Sequence, residues 1–544
     1  MDRGVDRHRR ALTTAALAAV PTCFVAIFFA YPVVAIVGRG LLPGGHLELT
    51  SLVDVFRGSE LEVVRFTVEQ ATLSTALTLA LGIPGAWALS RVRFPGRRLL
   101  RALVVVPFVL PTVVVGIAFR ALLGTGGPLA SLDLLPSLTA IVLAHAFFNY
   151  AVVVRIVGAM WEHLDPRTEE AARLLGAGRV RTFVSVTLPA LMPAIAAAAA
   201  IVFLFTFASF GVILILGGPG LSTLETEIYR QTTQLLDLET AAALTIVQFA
   251  AIVCLLVVTG RLQHRSATPR LRSVDAVRRP RRAGERVAIG ANLVVIGLLL
   301  GAPIGALVVR SLRGPDGRFT LEAYRNLDEV RRGSLVLVEP LDAAANSLRY
   351  AILATVISVT IGLLAATAIA RGRGRSARLL DGALALPLGV SAVTVGFGFL
   401  IALNRPPVDL RGSWMLVPIA QAVVAIPLVI RAITPSLRAV DPRLREAAAV
   451  LGASPRRVWR EVDLPIIRRA VLVGAGFAFA IALGEFGATA FVARPESVTL
   501  PVAIFRLVGQ PGPGAFGVAL ASSVLLMGLV ATAILVTDAE RHAF

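Results

Sequence analysis

Apolar stretches of about 20 residues or more recur along almost the whole chain, separated by short polar segments rich in arginine. A helix of that length rises far enough to cross the hydrocarbon of a bilayer. The pattern predicts twelve spans. Six lie near 11–37, 66–89, 102–123, 138–159, 190–216 and 240–260, and six near 287–310, 347–370, 379–402, 413–434, 466–492 and 516–537. The first follows Arg3, Arg7, Arg9 and Arg10, and its apolar run from Ala11 to about Val37 exceeds the roughly 7–15 residues of a cleaved signal peptide. It therefore reads as a retained helix with a cytoplasmic N-terminus.

With that start, the cytoplasmic loops are 90–101, 160–189, 261–286, 371–378 and 435–465. The first holds Arg91, Arg93, Arg97, Arg98 and Arg101, the third runs through Arg278, Arg279, Arg281, Arg282 and Arg286, and the fourth contains Arg371, Arg373, Arg375 and Arg378. The opposite loops mix their few arginines with Glu60, Glu62, Glu225 and Glu227. This is the positive-inside distribution of an inner-membrane protein with both termini in the cytoplasm.

Composition agrees: 56% of residues are hydrophobic, 16% are charged, and mean hydropathy is +0.78. The net charge of +19 is divided among short loops rather than gathered on a face outside the bilayer, which argues against nucleic acid. All 53 basic residues are arginine. A Walker A loop needs a lysine on the nucleotide phosphates and Schiff-base chemistry needs an amine, so this chain itself does neither. It reads as a non-enzyme without a cofactor of its own. Cys23 and Cys254 fall inside apolar spans, and the six histidines form no metal-ligand spacing.

The chain also repeats itself. Asp165-Pro166-Arg167-Thr168-Glu169-Glu170-Ala171-Ala172-Arg173-Leu174-Leu175-Gly176 aligns at an offset of 276 with Asp441-Pro442-Arg443-Leu444-Arg445-Glu446-Ala447-Ala448-Ala449-Val450-Leu451-Gly452, with 8 of 12 positions identical. The same offset pairs Arg155 with Arg431, Leu188-Pro189 with Leu464-Pro465, Phe210-Gly211 with Phe486-Gly487, and Thr223-Leu224 with Thr499-Leu500. Upstream an offset of 280 pairs Gly82 with Gly362, Arg91 with Arg371 and Pro107 with Pro387. Each half has an even number of spans, so the fold expected is an all-α membrane protein of about 12 transmembrane helices in two parallel six-helix repeats.

The strongest internal match is a loop. Asp441 is placed to cap a helix starting at Pro442 and ending at Gly452, and Ser454-Pro455 offers a second cap and start that leads toward Leu464-Pro465. Glu-Ala-Ala, then Gly, then Leu-Pro resembles the EAA loop of binding-protein-dependent ABC importer permeases. Both copies carry it: Glu170, Ala171, Ala172, Gly176 and Pro189, then Glu446, Ala447, Ala448, Gly452 and Pro465. The resemblance implies that these loops are coupling helices received by two cytoplasmic ABC ATPase subunits, that the ATP is used by those partners, and that an extracytoplasmic binding protein supplies the solute. It runs from about Phe66 to Ala531.

The corresponding organisation is an N-terminal helix and outer loop (1–65), a first type-1 permease domain (66–260), a basic linker (261–286), a second helix and outer loop (287–342) and a second permease domain (343–537). The fused arrangement resembles thiamine and ferric-iron permeases. Ala144-His145-Ala146-Phe147-Phe148-Asn149, Phe207-Ala208-Ser209-Phe210-Gly211, Leu216-Gly217-Gly218 and Leu483-Gly484-Glu485-Phe486-Gly487-Ala488 are the segments most like the thiamine permeases, although the last is also similar to sulfate and molybdate permeases. Thiamine or its phosphates is the first expectation, ferric iron the second.

Glu485 falls inside the eleventh predicted span, with Ser209 at its counterpart. An intramembrane carboxylate either lines a pathway or satisfies a local hydrogen-bonding need, and both readings stand. His145 and Asn149, four apart, with Gln421 matching His145, read as polar ties between helices. The rival class is a twelve-helix secondary transporter. Arg91-Val92-Arg93-Phe94-Pro95-Gly96-Arg97-Arg98 supplies the Gly-Arg-Arg of its signature loop but not the Asp, and the doubled Glu-Ala-Ala loop has no place in it.

Overall fold

The structure, a computed structural model, describes residues 16–42, 45–46, 50–265, 277, 279–280, 283–314, 316–329, 338–372, 374–405, 408–410, 412–510 and 513–542. Arg3, Arg7, Arg9 and Arg10, and the linker positions 266–276, 278, 281 and 282, lie outside them.

Among the described residues, ten helices in each half correspond between the two copies. In the first they are α1 (Ala16–Leu41), α2 (Glu60–Arg91), α3 (Arg97–Val109), α4 (Thr112–Leu123), α5 (Leu138–His163), α6 (Pro166–Leu174), α7 (Arg179–Phe207), α8 (Gly211–Leu216), α9 (Leu224–Arg230) and α10 (Leu238–Arg265). The second half follows in the same order. It comprises α11 (Ala283–Ser311), α12 (Pro340–Arg371), α13 (Arg375–Ala385), α14 (Ala392–Ala402), α15 (Leu416–Ala439), α16 (Pro442–Val450), α17 (Pro455–Gly484), α18 (Thr489–Val492), α19 (Leu500–Val508) and α20 (Pro513–His542). Among the described residues the only sheet is a two-residue ladder pairing Asn404–Arg405 with Val408–Asp409.

Ten of the helices among the described residues are long and apolar enough to cross a membrane, and α3 with α4 makes an eleventh if counted as one span. The third and ninth predicted spans are not straight rods. The axis turns by 104° between α3 and α4. Leu110, the residue before Pro111, is extended (ψ 140°), as a residue preceding proline prefers to be. In the second half the equivalent break before α14 uses another device. Val390 is extended (ψ 139°) and the Ser391 hydroxyl caps α14 by accepting from the Thr394 N–H at 3.0 Å.

The chain forms two compact units, one of residues 1–51, 229–246 and 324–544, the other of 52–228 and 247–323. The opening helices are thus exchanged. In the first unit α1 packs on α14 of the second half, with Phe28 and Phe399 at 6.4 Å between ring centroids. In the other unit α11 packs on α4, and Arg310 donates to the Ala121 and Thr125 carbonyls at 3.0 and 2.8 Å.

Within each unit the repeat recurs contact by contact. Ala86, Val153, Val157, Trp161, Leu191 and Val202 form one buried cluster, and their counterparts Ala366, Val429, Ile433, Leu437, Ile467 and Ala478 form the other. Gly82 lets α2 approach Val153 of α5, and Gly362 lets α12 approach Val429 of α15; a Cβ at either glycine would fall 2.7 Å from its valine. The Thr67 hydroxyl accepts from the Leu224 N–H at 3.0 Å, and Ser347 accepts from Leu500 at 2.7 Å, so each second helix satisfies an orphan donor at the start of α9 or α19.

Candidate functional site

The two Glu-Ala-Ala loops fold alike. Asp165 caps α6 by accepting from the Arg167 N–H at 2.9 Å, and Asp441 caps α16 by accepting from Arg443 at 2.9 Å, each followed by proline at the first helical position. Gly176 (φ +85°) and Gly452 (φ +81°) end the helices in the left-handed region. The closing bonds are a pair in each copy: Gly176 N–H to the Arg173 carbonyl and Ala177 to Ala172, then Gly452 to Ala449 and Ala453 to Ala448, all at 3.0 Å. This is a Schellman closure, which satisfies carbonyls that a helix end would leave bare.

Beyond each turn the chain enters α7 or α17, and there the structure differs from the expectation of a separate second helix. Leu188-Pro189 and Leu464-Pro465 lie inside continuous helices. Proline has no N–H for the ordinary bond and its ring crowds the preceding turn. A π-helical turn, Phe183–Thr187 or Trp459–Asp463, precedes the Leu-Pro pair in both copies, with the Leu188 N–H reaching the Phe183 carbonyl and Leu464 reaching Trp459.

The Glu170 and Glu446 carboxylates face solvent, and among the described residues neither has an ion-pair partner. The loop tips expose apolar side chains: Leu174 and Leu175 are 89% exposed, Val450 and Leu451 87%. The residues that fasten the loops were not picked out from sequence. In the first copy the Glu169 carboxylate accepts from the Thr187 hydroxyl at 2.9 Å and lies 3.4 Å from the Arg91 guanidinium, which also donates to the Leu164 carbonyl at 3.1 Å. In the second, Asp463, fully buried, pairs with Arg371 at 3.0 Å and Arg445 at 2.7 Å. The signal that could have found them was present, since Arg91 and Arg371 are paired by the repeat.

Glu485 lies just past the end of α17 rather than within a continuous span. Its two oxygens accept from the Ala488 and Thr489 N–H groups at 2.7 and 3.0 Å, so the carboxylate caps the turn into α18. Ser209 occupies the matching break but ties outward. Its hydroxyl is 2.8 Å from His145 Nε2, and His145 Nδ1 is 3.0 Å from the Ser74 hydroxyl. Asn149 donates to the His145 carbonyl at 3.1 Å. His145 therefore joins α2, α5 and the end of α7, the helix-to-helix role its position suggested.

Comparison with known proteins gives this architecture a family. The model for "Binding-protein-dependent transport system inner membrane component" matches twice, over residues 78–272 and 358–537, together more than half of the chain. The chain is 29% identical over 502 residues to the thiamine transport system permease protein ThiP of Brucella abortus (strain 2308), covering 89% of each. It is 35% identical over 193 residues to the molybdenum transport system permease protein ModB of Escherichia coli (strain K12), covering 33% of this chain and 84% of that one. A solved bacterial ABC transporter involved in the import of the polysaccharide alginate aligns with 49% of this chain and all of that one, at 19% identity and a TM-score of 0.42. The chain belongs to the binding-protein-dependent transport system inner membrane components, an integral inner-membrane ABC importer permease with its two membrane domains fused in one polypeptide, and not itself an enzyme.

Proposed function

We propose that this permease carries thiamine or its phosphate esters into the cell, driven by two separate ABC ATPase subunits docked at α6 and α16 and supplied by an extracytoplasmic binding protein. The observation that carries the substrate is the likeness to a thiamine permease along 89% of both chains, against 33% of this chain for the molybdenum permease. Docking at α6 and α16 is supported by their tips. Fully exposed leucine and valine pairs on short, firmly capped helices are the kind of apolar surface that a partner covers. In this reading the tips and both termini are cytoplasmic, ATP is used by the partners, and this chain holds no cofactor. Glu485 shapes the break after α17 instead of binding the solute.

The test is reconstitution in vesicles with the cognate ATPase and binding protein, offering labelled thiamine, chelated ferric iron and molybdate separately. ATP-dependent uptake of thiamine is expected. Uptake of iron or molybdate without thiamine would sink the substrate while leaving the family untouched.

A further inference from the structure

We infer that each coupling helix is held in register by one three-position electrostatic anchor, and that the two halves build it with the acid and its partner exchanged; this rests on the importer reading above. The positions are the end of the second span (Arg91 or Arg371), the middle of the coupling helix (Glu169 or Arg445) and the last residue of the π-helical turn (Thr187 or Asp463), all related by the offsets of the internal repeat. In the first half the acid is on the coupling helix and is gripped from both sides, by Arg91 at 3.4 Å and the Thr187 hydroxyl at 2.9 Å. In the second the acid has moved to the π-helical turn, and the coupling helix offers Arg445 at 2.7 Å while Arg371 pairs at 3.0 Å.

Charge is conserved through the exchange. Arg173, whose counterpart is Ala449, sits 3.7 Å from Glu169, so each anchor contains two guanidinium groups and one carboxylate. Volume is conserved beside it. Trp161 stacks with Phe183 at 6.3 Å in the first half, whereas the counterparts are Leu437 and Trp459, and Arg371 lies 5.5 Å from the Trp459 ring centroid. A residue that merely decorated a loop would drift singly. Here a change at one position is answered at the next, as expected where a buried charge left without its partner is heavily penalised. The anchor ties three moving parts, a span end, the docking helix and the next span, so that displacement of the docked helix is passed to both spans. Glu169, Arg445 and Asp463 are thus positioning residues for coupling.

The experiment exchanges one half's arrangement for the other's. Permease variants are reconstituted with the ATPase and binding protein, and labelled thiamine transported per ATP hydrolysed is measured alongside membrane insertion and ATPase copurification. Asp463→Thr, which faces Arg371 with Arg445 and no acid, and Glu169→Arg, its first-half counterpart, should each lower that ratio at least about tenfold. Arg445→Glu with Asp463→Thr and Ala449→Arg, and Glu169→Arg with Thr187→Asp and Arg173→Ala, keep two guanidinium groups and one carboxylate and should restore it to within about twofold. Should a single variant fail to insert, the milder Glu169→Gln, which keeps the Thr187 contact and removes the charge facing Arg91, should still lower the ratio several-fold. Single variants at the wild-type ratio, or combined variants no better than the singles, would overturn the anchor. Absence of ATP-dependent thiamine uptake by the unaltered chain would sink the proposed substrate instead. The anchor would then be judged by thermal unfolding in detergent, where each combined variant must exceed the less stable of its singles.

Discussion

Glycine serves two different physical ends in this chain, and substitution separates them. At Gly176 and Gly452 a Cβ would meet no atom within 4 Å, yet both have φ above +80°. The penalty there is conformational, about 1–2 kcal/mol for a β-branched residue and much less for asparagine, which visits that region. At Gly82 and Gly362 the backbone is ordinary helix but a valine of the neighbouring helix leaves no room. Gly452→Asn should therefore keep ATPase-coupled transport while Gly452→Val, of similar bulk, should lose most of it. At Gly362 any side chain, alanine included, should cost about 1–3 kcal/mol of stability through overpacking, read as a lower unfolding temperature in detergent. Equal tolerance of valine and asparagine at position 452 would show that the left-handed closure is not what coupling needs.

The elements that the sequence announced most clearly are those whose ends are chemical. Aspartate, proline and glycine bracket α6 and α16, and all six residues act as their types suggest. A nine-residue helix is too short to persist on its own, so its caps carry much of its stability. Asp441→Ala should cost α16 about 1 kcal/mol, visible as faster hydrogen exchange of the amides of 444–450 with no change in α15. Unchanged protection would place the helix's stability in its contacts with α17 instead. Other elements were less legible. A run of apolar residues does not reveal a bend, and the break before α14 has no proline at the position where Pro111 breaks the first copy. Glu169 was hidden for a different reason. It stands beside the motif's own Glu170 and has Arg445 as its counterpart, so a search for identity between the copies passes over the position where compensation, not identity, preserves the contact.

At the scale of the molecule, the exchange of α1 and α11 is what a list of spans cannot show, because hydropathy places a helix along the chain without saying which bundle it joins. Pro32 of α1 lies against Gly398 of α14, where a Cβ on the glycine would come within 2.8 Å of the proline side chain. Arg310 of α11 holds two carbonyls at the end of α4. Each half thus relies on the other for the helix that covers its broken span, and fusion into one chain guarantees the supply. The arrangement makes a direct prediction. In a variant lacking Cys23 and Cys254, with a protease site placed at 266–276, cysteines at positions 32 and 398 should be joined by a short thiol cross-linker. After cleavage the two halves should then migrate as one species under denaturing conditions, and as two without the reagent. Halves that still migrate apart with the reagent present would mean that α1 does not lie on α14, and the exchange would be wrong.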